Sequence, residues 1–207
     1  HSSDDSQQAI LLADELNQAF SDDSSAVPGT TYFYWVKACT ALGCSEFSVA
    51  DSGWRSLTSP ASLAASDGTY TDRINLTWDA SAGAAYYQLF RRLSGESGDP
   101  DLIAGSLTGL SYADSAVLPG QAYDYWVSAC SALTCSSPSN SESGWRGLLP
   151  PATLSASDGT YTDHIHLSWT ENEYATYYQL FRHSSDDSQQ AILLADELNQ
   201  AFSDDSS

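Results

Sequence analysis

The first twenty-five residues, 1–25, return without a single change as residues 183–207. The two copies begin 182 positions apart (183 minus 1). A looser match starts at Pro60, with PASLAASDGTYTD, and again at Pro151, with PATLSASDGTYTD, 91 positions later (151 minus 60). A self-match at a fixed period is the signature of a repeat architecture. The chain therefore consists of related units of about 91 residues, and two of them make one full period.

The period divides the sequence into one complete unit and two parts of units. Residues 60–150 are the complete unit, whereas 1–59 and 151–207 are the C-terminal and N-terminal parts of others. Residues 26–59 match 117–150 at about half of positions, so 151–207 followed by 26–59 makes one whole repeat. Severed strands leave apolar faces and backbone groups unpaired. We therefore expect a window onto a longer periodic polypeptide, which we favour, or a subunit completed head to tail by its neighbours.

The chain is strongly acidic. It has 27 acidic against seven basic residues, a formal net charge of −20 and a pI near 4.1. Such a surface repels phosphate backbones, which argues against nucleic acid as a partner. The acidity either keeps chains soluble and apart, or binds cations at Asp-rich loops. No apolar run reaches the roughly 18 residues that a membrane span requires, so no span is expected in this window.

Four cysteines occur in two identical spacings, Cys39-TALG-Cys44 and Cys130-SALT-Cys135. Zinc needs converging ligands, and two C-x4-C pairs one repeat apart without a local histidine are a poor match. A disulfide that closes a short hairpin loop fits the spacing better. Such disulfides predict an oxidising compartment, extracellular or at the cell surface.

Alternating apolar residues predict strands along the complete unit. Ile74, Leu76 and Trp78 alternate with polar residues, which is typical of a half-buried strand with its Trp inward. Residues 84–92 and 122–130 alternate in the same way, and turn residues separate these segments. Seven short strands at spacings of about 8–12 residues predict a β-sandwich.

The unit resembles a fibronectin type III domain in three places: Trp78 on the second strand, Tyr87-Gln-Leu89 on the third, and VLPGQAYDYWVSA at 117–129. The other unit repeats the last segment from Pro28, as PGTTYFYWVKA. The resemblance implies all-β, tandem immunoglobulin-like sandwiches, with a Tyr after the Pro-Gly turn bonded back to the backbone. The A-C-x4-C-S hairpin and the DGTYTD turn are similar to tandem units of exported bacterial surface and fibre proteins. Because this fold hosts mostly binding and spacing roles, the resemblance says little about activity.

No catalytic motif is found, since the sequence has no G-x-S-x-G elbow, Walker motif or H-E-x-x-H. We therefore expect no enzyme and no cofactor. His164 and His166 share one face of a strand and could chelate a metal, but the sister unit has Arg73 and Asn75 there, which argues against a metal site. The carboxylates of the two DGTYTD turns are weak calcium candidates, better explained as turns stabilised by Asp side chains. They are Asp67, Asp72, Asp158 and Asp163.

Asn75-Leu76-Thr77 is an acceptor sequon for N-glycosylation on the outward side of its strand. The sister unit has His166-Leu167-Ser168 at that place. Sequon glycosylation therefore marks at most every second repeat.

Outward-facing aromatic residues on two neighbouring strands predict an exposed patch. They are Tyr86, Phe90 and Trp126 in the complete unit, with counterparts Phe33, Trp35, Tyr177 and Phe181 in the other parts. Three interpretations are open: a sheet-to-sheet contact between repeats or chains, a platform on which carbohydrate stacks, or a patch covered by the long loop after the third strand.

Short connectors with proline join the units, SLTSP at 56–60 and GLLPP at 147–151. Such links do not behave as flexible Gly/Ser tethers, so neighbouring repeats should abut. The side chains expected at this seam are Trp54, Arg55, Trp145, Arg146 and Leu148.

These features predict a structural role, in an extracellular fibre or filament built head to tail from stiff β-sandwich units whose partner is another repeat or chain of the same kind. The alternative is a set of carbohydrate-binding or spacer repeats in a large surface adhesin or secreted multidomain enzyme, with glycans as partners. Glycan binding through the aromatic patch would separate the two hypotheses.

Overall fold

The computed structural model describes residues 5–14, 16, 18–199 and 202–205. In this part of the chain the backbone is all-β, with sixteen strands, two short 3-10 turns and no α-helix. Among these residues no helix has the length and apolarity that a membrane crossing requires. The predicted all-β fold class is confirmed.

The strands follow one another in three groups along the chain. Before residue 60 lie the 3-10 turn Ser6–Gln8, β1 (Tyr32–Tyr34), β2 (Cys39–Thr40), β3 (Gly43–Cys44) and β4 (Asp51–Gly53). Residues 60–150 hold β5 (Ala64–Ala65), β6 (Ile74–Thr77), β7 (Tyr86–Leu93), β8 (Asp101–Leu107), β9 (Ser111–Asp114), β10 (Ala122–Cys130) and β11 (Glu142–Trp145). After residue 150 lie β12 (Leu154–Ala156), β13 (Ile165–Trp169), β14 (Tyr178–Arg182), the 3-10 turn Ser188–Gln190, β15 (Ile192–Leu198) and β16 (Phe202–Asp205).

Residues 60–150 form two sheets from seven strands. One sheet has the strand order β11-β10-β7-β8, and the other has the order β5-β6-β9. β10 pairs antiparallel with β7 along its length, with Trp126 opposite Phe90 and Val127 opposite Leu89. These sheets make the β-sandwich that the seven short strands predict.

The alternating apolar residues of β6 lie in the core. Ile74 and Leu76 are fully buried, and Trp78 is nearly so. The Trp78 ring meets the Tyr87 ring edge-on, with 5.7 Å between ring centroids. The Tyr87 hydroxyl accepts a hydrogen bond of 3.0 Å from the Ser81 N–H, so its polar end is satisfied inside. Burying each such apolar side chain stabilises the fold by about 1.5–3 kcal/mol.

Residues after 150 repeat the first part of this fold. The sheets β12-β13-β16 and β14-β15 correspond in sequence to β5-β6-β9 and β7-β8. Trp169 meets Tyr178 edge-on at 5.4 Å, and the Tyr178 hydroxyl accepts a hydrogen bond of 2.8 Å from the Asn172 N–H. The ring pair and the hydrogen bond of this part therefore repeat those of Trp78, Ser81 and Tyr87 in residues 60–150.

Residues 26–59 repeat the last part of the fold. β1 pairs with β4, with Phe33 opposite Ser52, and β2 pairs with β3. The Val27 N–H donates a hydrogen bond of 3.3 Å to the Tyr32 hydroxyl. This is the bond between a Tyr and the backbone near the Pro-Gly turn that the family resemblance implies.

The chain divides into two compact units. The first comprises residues up to 65, 75–113 and 123–143, and the second comprises 66–74, 114–122 and residues from 144 onward. Each compact unit thus draws on more than one predicted repeat. The repeat boundaries at residues 60 and 151 remain a proposal.

Candidate functional site

Both cysteine pairs form disulfides at the ends of short hairpins. Cys39 is bonded to Cys44, and Cys130 to Cys135. Within each pair the two cysteines also face each other across a backbone bridge. No cysteine in the described part of the chain is free. The predicted disulfides are confirmed, and they are consistent with an oxidising compartment.

Serine hydroxyls join the strand after each hairpin to the strand before it. The Val127 N–H donates to Ser139 Oγ at 3.1 Å, and the Ala129 N–H donates to Ser136 Oγ at 3.0 Å. In return, the Ser139 and Ser136 N–H groups donate to the carbonyls of Val127 and Ala129 at 2.9 and 2.7 Å. The same four bonds recur, at 2.8 to 3.1 Å, between Val36, Ala38, Ser45 and Ser48. Sequence reasoning missed this arrangement, although the shared spacing C-S-x-x-S was a signal for it.

The DGTYTD turn of the complete unit holds the end of the last strand. The Gly68 N–H donates to the Trp145 carbonyl at 2.8 Å, and the Gly147 N–H donates to the Tyr70 carbonyl at 2.8 Å. Gly68 has φ +64°, and a Cβ built on it would lie 2.7 Å from Cζ2 of Trp145. The Trp145 indole therefore lies directly on this glycine, a contact within the second compact unit.

Other residues predicted at the seam contact the Pro-Gly turns. The Gly120 N–H donates to the Arg146 carbonyl at 2.9 Å, and the Gly29 N–H donates to the Arg55 carbonyl at 2.8 Å. The Arg55 guanidinium also donates to two carbonyls of the segment 24–26, at 2.8 and 2.9 Å. The side chains of Trp54 and Leu148 are about half exposed. A role for these residues between repeats remains a prediction.

Residues 26–59 contact the part of the chain after residue 60 within the first compact unit. A Cβ built on Gly83, which has φ +80°, would lie 2.8 Å from the carbonyl carbon of Pro28. A Cβ built on Gly29 would lie 2.8 Å from Cβ of Ser131. The Pro28-Gly29 turn therefore approaches the loop before β7 at backbone distance. Sequence reasoning missed this contact; the signal was a glycine at 83 where the sister unit has Tyr174.

The predicted aromatic patch is half-buried in the complete unit. Trp126 lies opposite Phe90, and the Arg92 guanidinium lies 5.1 Å from the centroid of the Trp126 ring. Arg92 also donates a hydrogen bond of 2.6 Å to the carbonyl of Gly98, in the loop after β7. Tyr86, on the same face of β7, is half-buried as well. Arg92 thus covers part of the patch and is fixed there by the loop.

The counterparts of the patch differ in exposure. Phe33 and Trp35 are half-buried, and the Trp35 ring lies 6.5 Å from the Phe47 ring. Tyr177 and Phe181 are about half exposed. The first pair belongs to the first compact unit and the second pair to the second. What these aromatic residues contact in an assembly remains a prediction.

Asp23 ties the start of the segment 26–59 to β1. Its carboxylate accepts hydrogen bonds from the Ser25 hydroxyl and N–H at 2.6 and 2.8 Å, from the Ala26 N–H at 3.1 Å and from the Tyr34 hydroxyl at 3.1 Å. These hydrogen bonds lower the pKa of Asp23, and the bond from the Ser25 hydroxyl has the largest effect. Desolvation acts in the opposite direction. Desolvation, followed by the hydrogen bond to Asp23, raises the pKa of Tyr34.

Metal-binding geometry is absent from the described residues, in which no three His, Cys, Asp or Glu side chains are grouped to hold an ion. Among the weak calcium candidates, Asp72 pairs with Arg73 at 2.9 Å and Asp163 pairs with His164 at 2.8 Å. Asn75, the sequon asparagine, is half-buried on β6. Its glycosylation remains a prediction.

The chain is similar to solved fibronectin type III structures. An Fn3-like protein from Clostridium thermocellum is 33% identical over 44% of this chain and 94% of its own, with a TM-score of 0.38. A segment of two fibronectin type III domains from chicken tenascin is 19% identical over 71% of this chain and 82% of its own, with a TM-score of 0.50. No family model matches the chain, and no curated protein matches it.

Proposed function

We propose that this chain, which has a fibronectin type III-like fold, is a structural part of an extracellular fibre or filament in which stiff β-sandwich repeats continue head to tail. The observation that carries this proposal is the junction inside the first compact unit. There the carbonyl of Pro28 approaches Gly83 so closely that no side chain fits between the two backbones. A junction packed at backbone distance transmits force between repeats rather than allowing them to swing freely.

The connector between the repeats supports the same proposal. Leu57 and Pro60 are buried, and the Ser59 hydroxyl donates a hydrogen bond of 2.7 Å to the carbonyl of Ser137. A flexible tether is a random coil whose residues are exposed to solvent. The buried residues and the hydrogen bond of this connector are not compatible with such a coil. The connector is therefore part of the packed junction.

Charge and disulfides suit a chain that works outside the cell. The net charge of −20 makes neighbouring chains repel one another, which opposes lateral aggregation. The disulfide in each hairpin persists in an oxidising environment and fixes the loop between the last two strands. Neither the fold nor the described side chains suggest a reaction, so we propose no catalytic activity and no cofactor.

Electron microscopy of the native material tests the proposal. We expect filaments with an axial repeat of roughly 60–80 Å for a two-repeat period, from about 3.3 Å per strand residue. Monodisperse single particles without an axial repeat would exclude the fibre. Glycan-array binding that is lost in Trp126→Ala and Trp35→Ala would instead support the carbohydrate-binding alternative.

A further inference from the structure

Strand β6 of the complete unit carries the one acceptor sequon for N-glycosylation in the sequence. The pattern N-x-S/T occurs once, as Asn75-Leu76-Thr77, and all three residues lie in β6. Successive side chains of a strand point to opposite faces of the sheet, so the amide of Asn75 and the hydroxyl of Thr77 share one face. The two groups that define an acceptor site are therefore presented on the same side of β6.

Burial along β6 identifies that side as the outward face of the sheet. Ile74 and Leu76 are 0% exposed and belong to the core, whereas Thr77 is exposed. Asn75 is half-buried, since β5 and β9 flank β6 on its two sides. The side chain of Asn75 therefore points away from the core.

The strands beside β6 leave room for a sugar on this face. Ala64 of β5 lies opposite Thr77 and is exposed. The exposed residues of β9 are Ser111 and Ala113. The side chains of these three neighbours are short and uncharged, so they do not project far over the sheet. A sugar attached at Asn75 can lie along this face without displacing them.

We propose that Asn75 carries an N-linked glycan; this inference rests on the export of the chain in the proposed function but not on the fibre. The donor is a lipid-linked oligosaccharide whose anomeric carbon is bonded to a pyrophosphate. Nδ2 of Asn75 forms a bond to that carbon, the bond from the carbon to the pyrophosphate oxygen breaks, and the lipid pyrophosphate leaves with the electron pair. The amide nitrogen gives up one of its two protons, so atoms and charge balance.

The sister repeat has no acceptor asparagine at this place. His166-Leu167-Ser168 keeps the hydroxyl but replaces the amide by an imidazole, and the His166 ring centroid lies 6.3 Å from that of Tyr161. The glycan therefore occurs once in each 182-residue period. Glycosylated and unmodified repeats alternate along the chain.

A glycan at this place directs where neighbouring chains can meet. It is bulky and strongly hydrated, so it keeps other chains off the face formed by β5, β6 and β9. Trp126 and Phe90 lie opposite each other in the other sheet, which the glycan does not cover. Lateral contacts between chains are thereby confined to surfaces such as that second sheet.

Peptide mapping of the native material tests the proposal directly. Cleavage after Arg73 and Arg91 gives the peptide 74–91, in which Asn75 is the one asparagine. We expect this peptide to carry the added mass of a glycan, with fragment masses that place the whole addition on Asn75. Recovery of the peptide without added mass overturns the proposal. An addition placed on a serine or threonine of the peptide overturns it as well, because that sugar would be O-linked.

Two variants at Thr77 separate the sequon from the fold. Thr77→Ser keeps the hydroxyl and should retain the glycan, whereas Thr77→Val keeps the branched shape and should lose the glycan. Thr77 is exposed and both residues are tolerated on a strand surface, so neither change disturbs the core. Secreted by the organism that makes the native material, Thr77→Val should migrate at a lower apparent mass than Thr77→Ser. Equal migration of the two variants would contradict the proposal.

The outcomes separate the glycan from the fibre. Filaments with an axial repeat in which the peptide 74–91 is unmodified would leave the proposed fibre standing and reject the glycan. Single particles without an axial repeat, with the glycan on Asn75, would reject the fibre and support the glycan.

Discussion

Two glycines in the same DGTYTD motif, Gly68 and Gly159, allow a matched test of how the last strand is anchored. Both have φ +64°, in the left-handed region that favours glycine. Gly68 lies under the indole ring of Trp145, whereas no atom of the described residues lies within 4 Å of a Cβ built on Gly159. Substitution of each by alanine therefore imposes the same backbone strain, whereas only Gly68→Ala also places a Cβ against the ring.

The expected free energies of unfolding follow from these two contributions. Left-handed backbone strain costs about 1–2 kcal/mol in both variants. At Gly68 the overlap adds about 1–3 kcal/mol if the neighbours shift around the new methyl group. The alternative is that the Trp145 ring leaves its seat. Trp145 is 41% exposed, so leaving would expose about 150 Å² of buried surface and cost about 4 kcal/mol. A shift of the neighbours costs less than departure of the Trp145 ring, so the protein should respond by that shift. Gly68→Ala should therefore lower the free energy of unfolding by about 2–5 kcal/mol, and Gly159→Ala by about 1–2 kcal/mol.

Native-state hydrogen exchange at low protein concentration measures both values, since amide protection reports the free energy of opening. For Gly68→Ala the reporters are the N–H groups of Trp145 and Gly147, which donate to Ser66 and Tyr70. For Gly159→Ala the reporter is the Ser157 N–H, which donates to the His166 carbonyl. Equal losses of protection in the two variants would refute the reasoning, because the indole would then contribute nothing at Gly68.

Three further predictions concern the junction, an acid-sensitive contact and the hairpins. Gly83→Ala should undock the turn at Pro28 and speed the amide exchange of residues 26–59, while exchange in β10 stays unchanged. Because the pKa of Asp23 is lowered in the folded chain, its hydrogen bonds contribute fully above the ordinary value of about 3.9 and are lost as the pH falls through the lowered pKa. Asp23→Asn should remove this acid dependence of the Ala26 amide in an NMR titration. Replacing Cys130 and Cys135 by serine should lower the free energy of unfolding in urea by about 2 kcal/mol.

Local patterns in the sequence predict the strands of the complete repeat well, because alternation directly reports which side of a strand is buried. Ile74 and Leu76 lie in the core as predicted, and β10 spans the predicted residues 122–130. The disulfides were also predictable, since C-x4-C closes a loop of fixed size. These features depend on residues close together in the sequence.

Contacts between segments that are distant in the sequence could not be predicted from such local patterns. The close approach of Gly83 to Pro28 joins segments far apart in the sequence. Pro28 lies in a Pro-Gly turn that recurs at Pro119, but nothing in that turn indicates that Gly83 is the residue it meets. The serine hydroxyls that bond Val127 and Ala129 leave only the spacing C-S-x-x-S in the sequence, and that spacing does not say which backbone groups the hydroxyls bond. The contact of the Arg92 guanidinium with the Trp126 ring was also missed, because a charged residue on a strand normally predicts exposure to solvent.

The glycine at position 83 and the tyrosine at 174 have a consequence for the mechanics of a long polymer of this sequence. A backbone approach like that at Gly83 is available only where the residue has no side chain, and Tyr174 occupies the corresponding place in the sister unit. In such a polymer two kinds of junction alternate along the chain, one with glycine at the position of Gly83 and one with tyrosine at the position of Tyr174. Under tension its compliance would vary with the 182-residue period rather than with the 91-residue one. Because the compliances of joints in series add, the more compliant joint, at Tyr174, would then set both where the filament bends and over what length it stays straight.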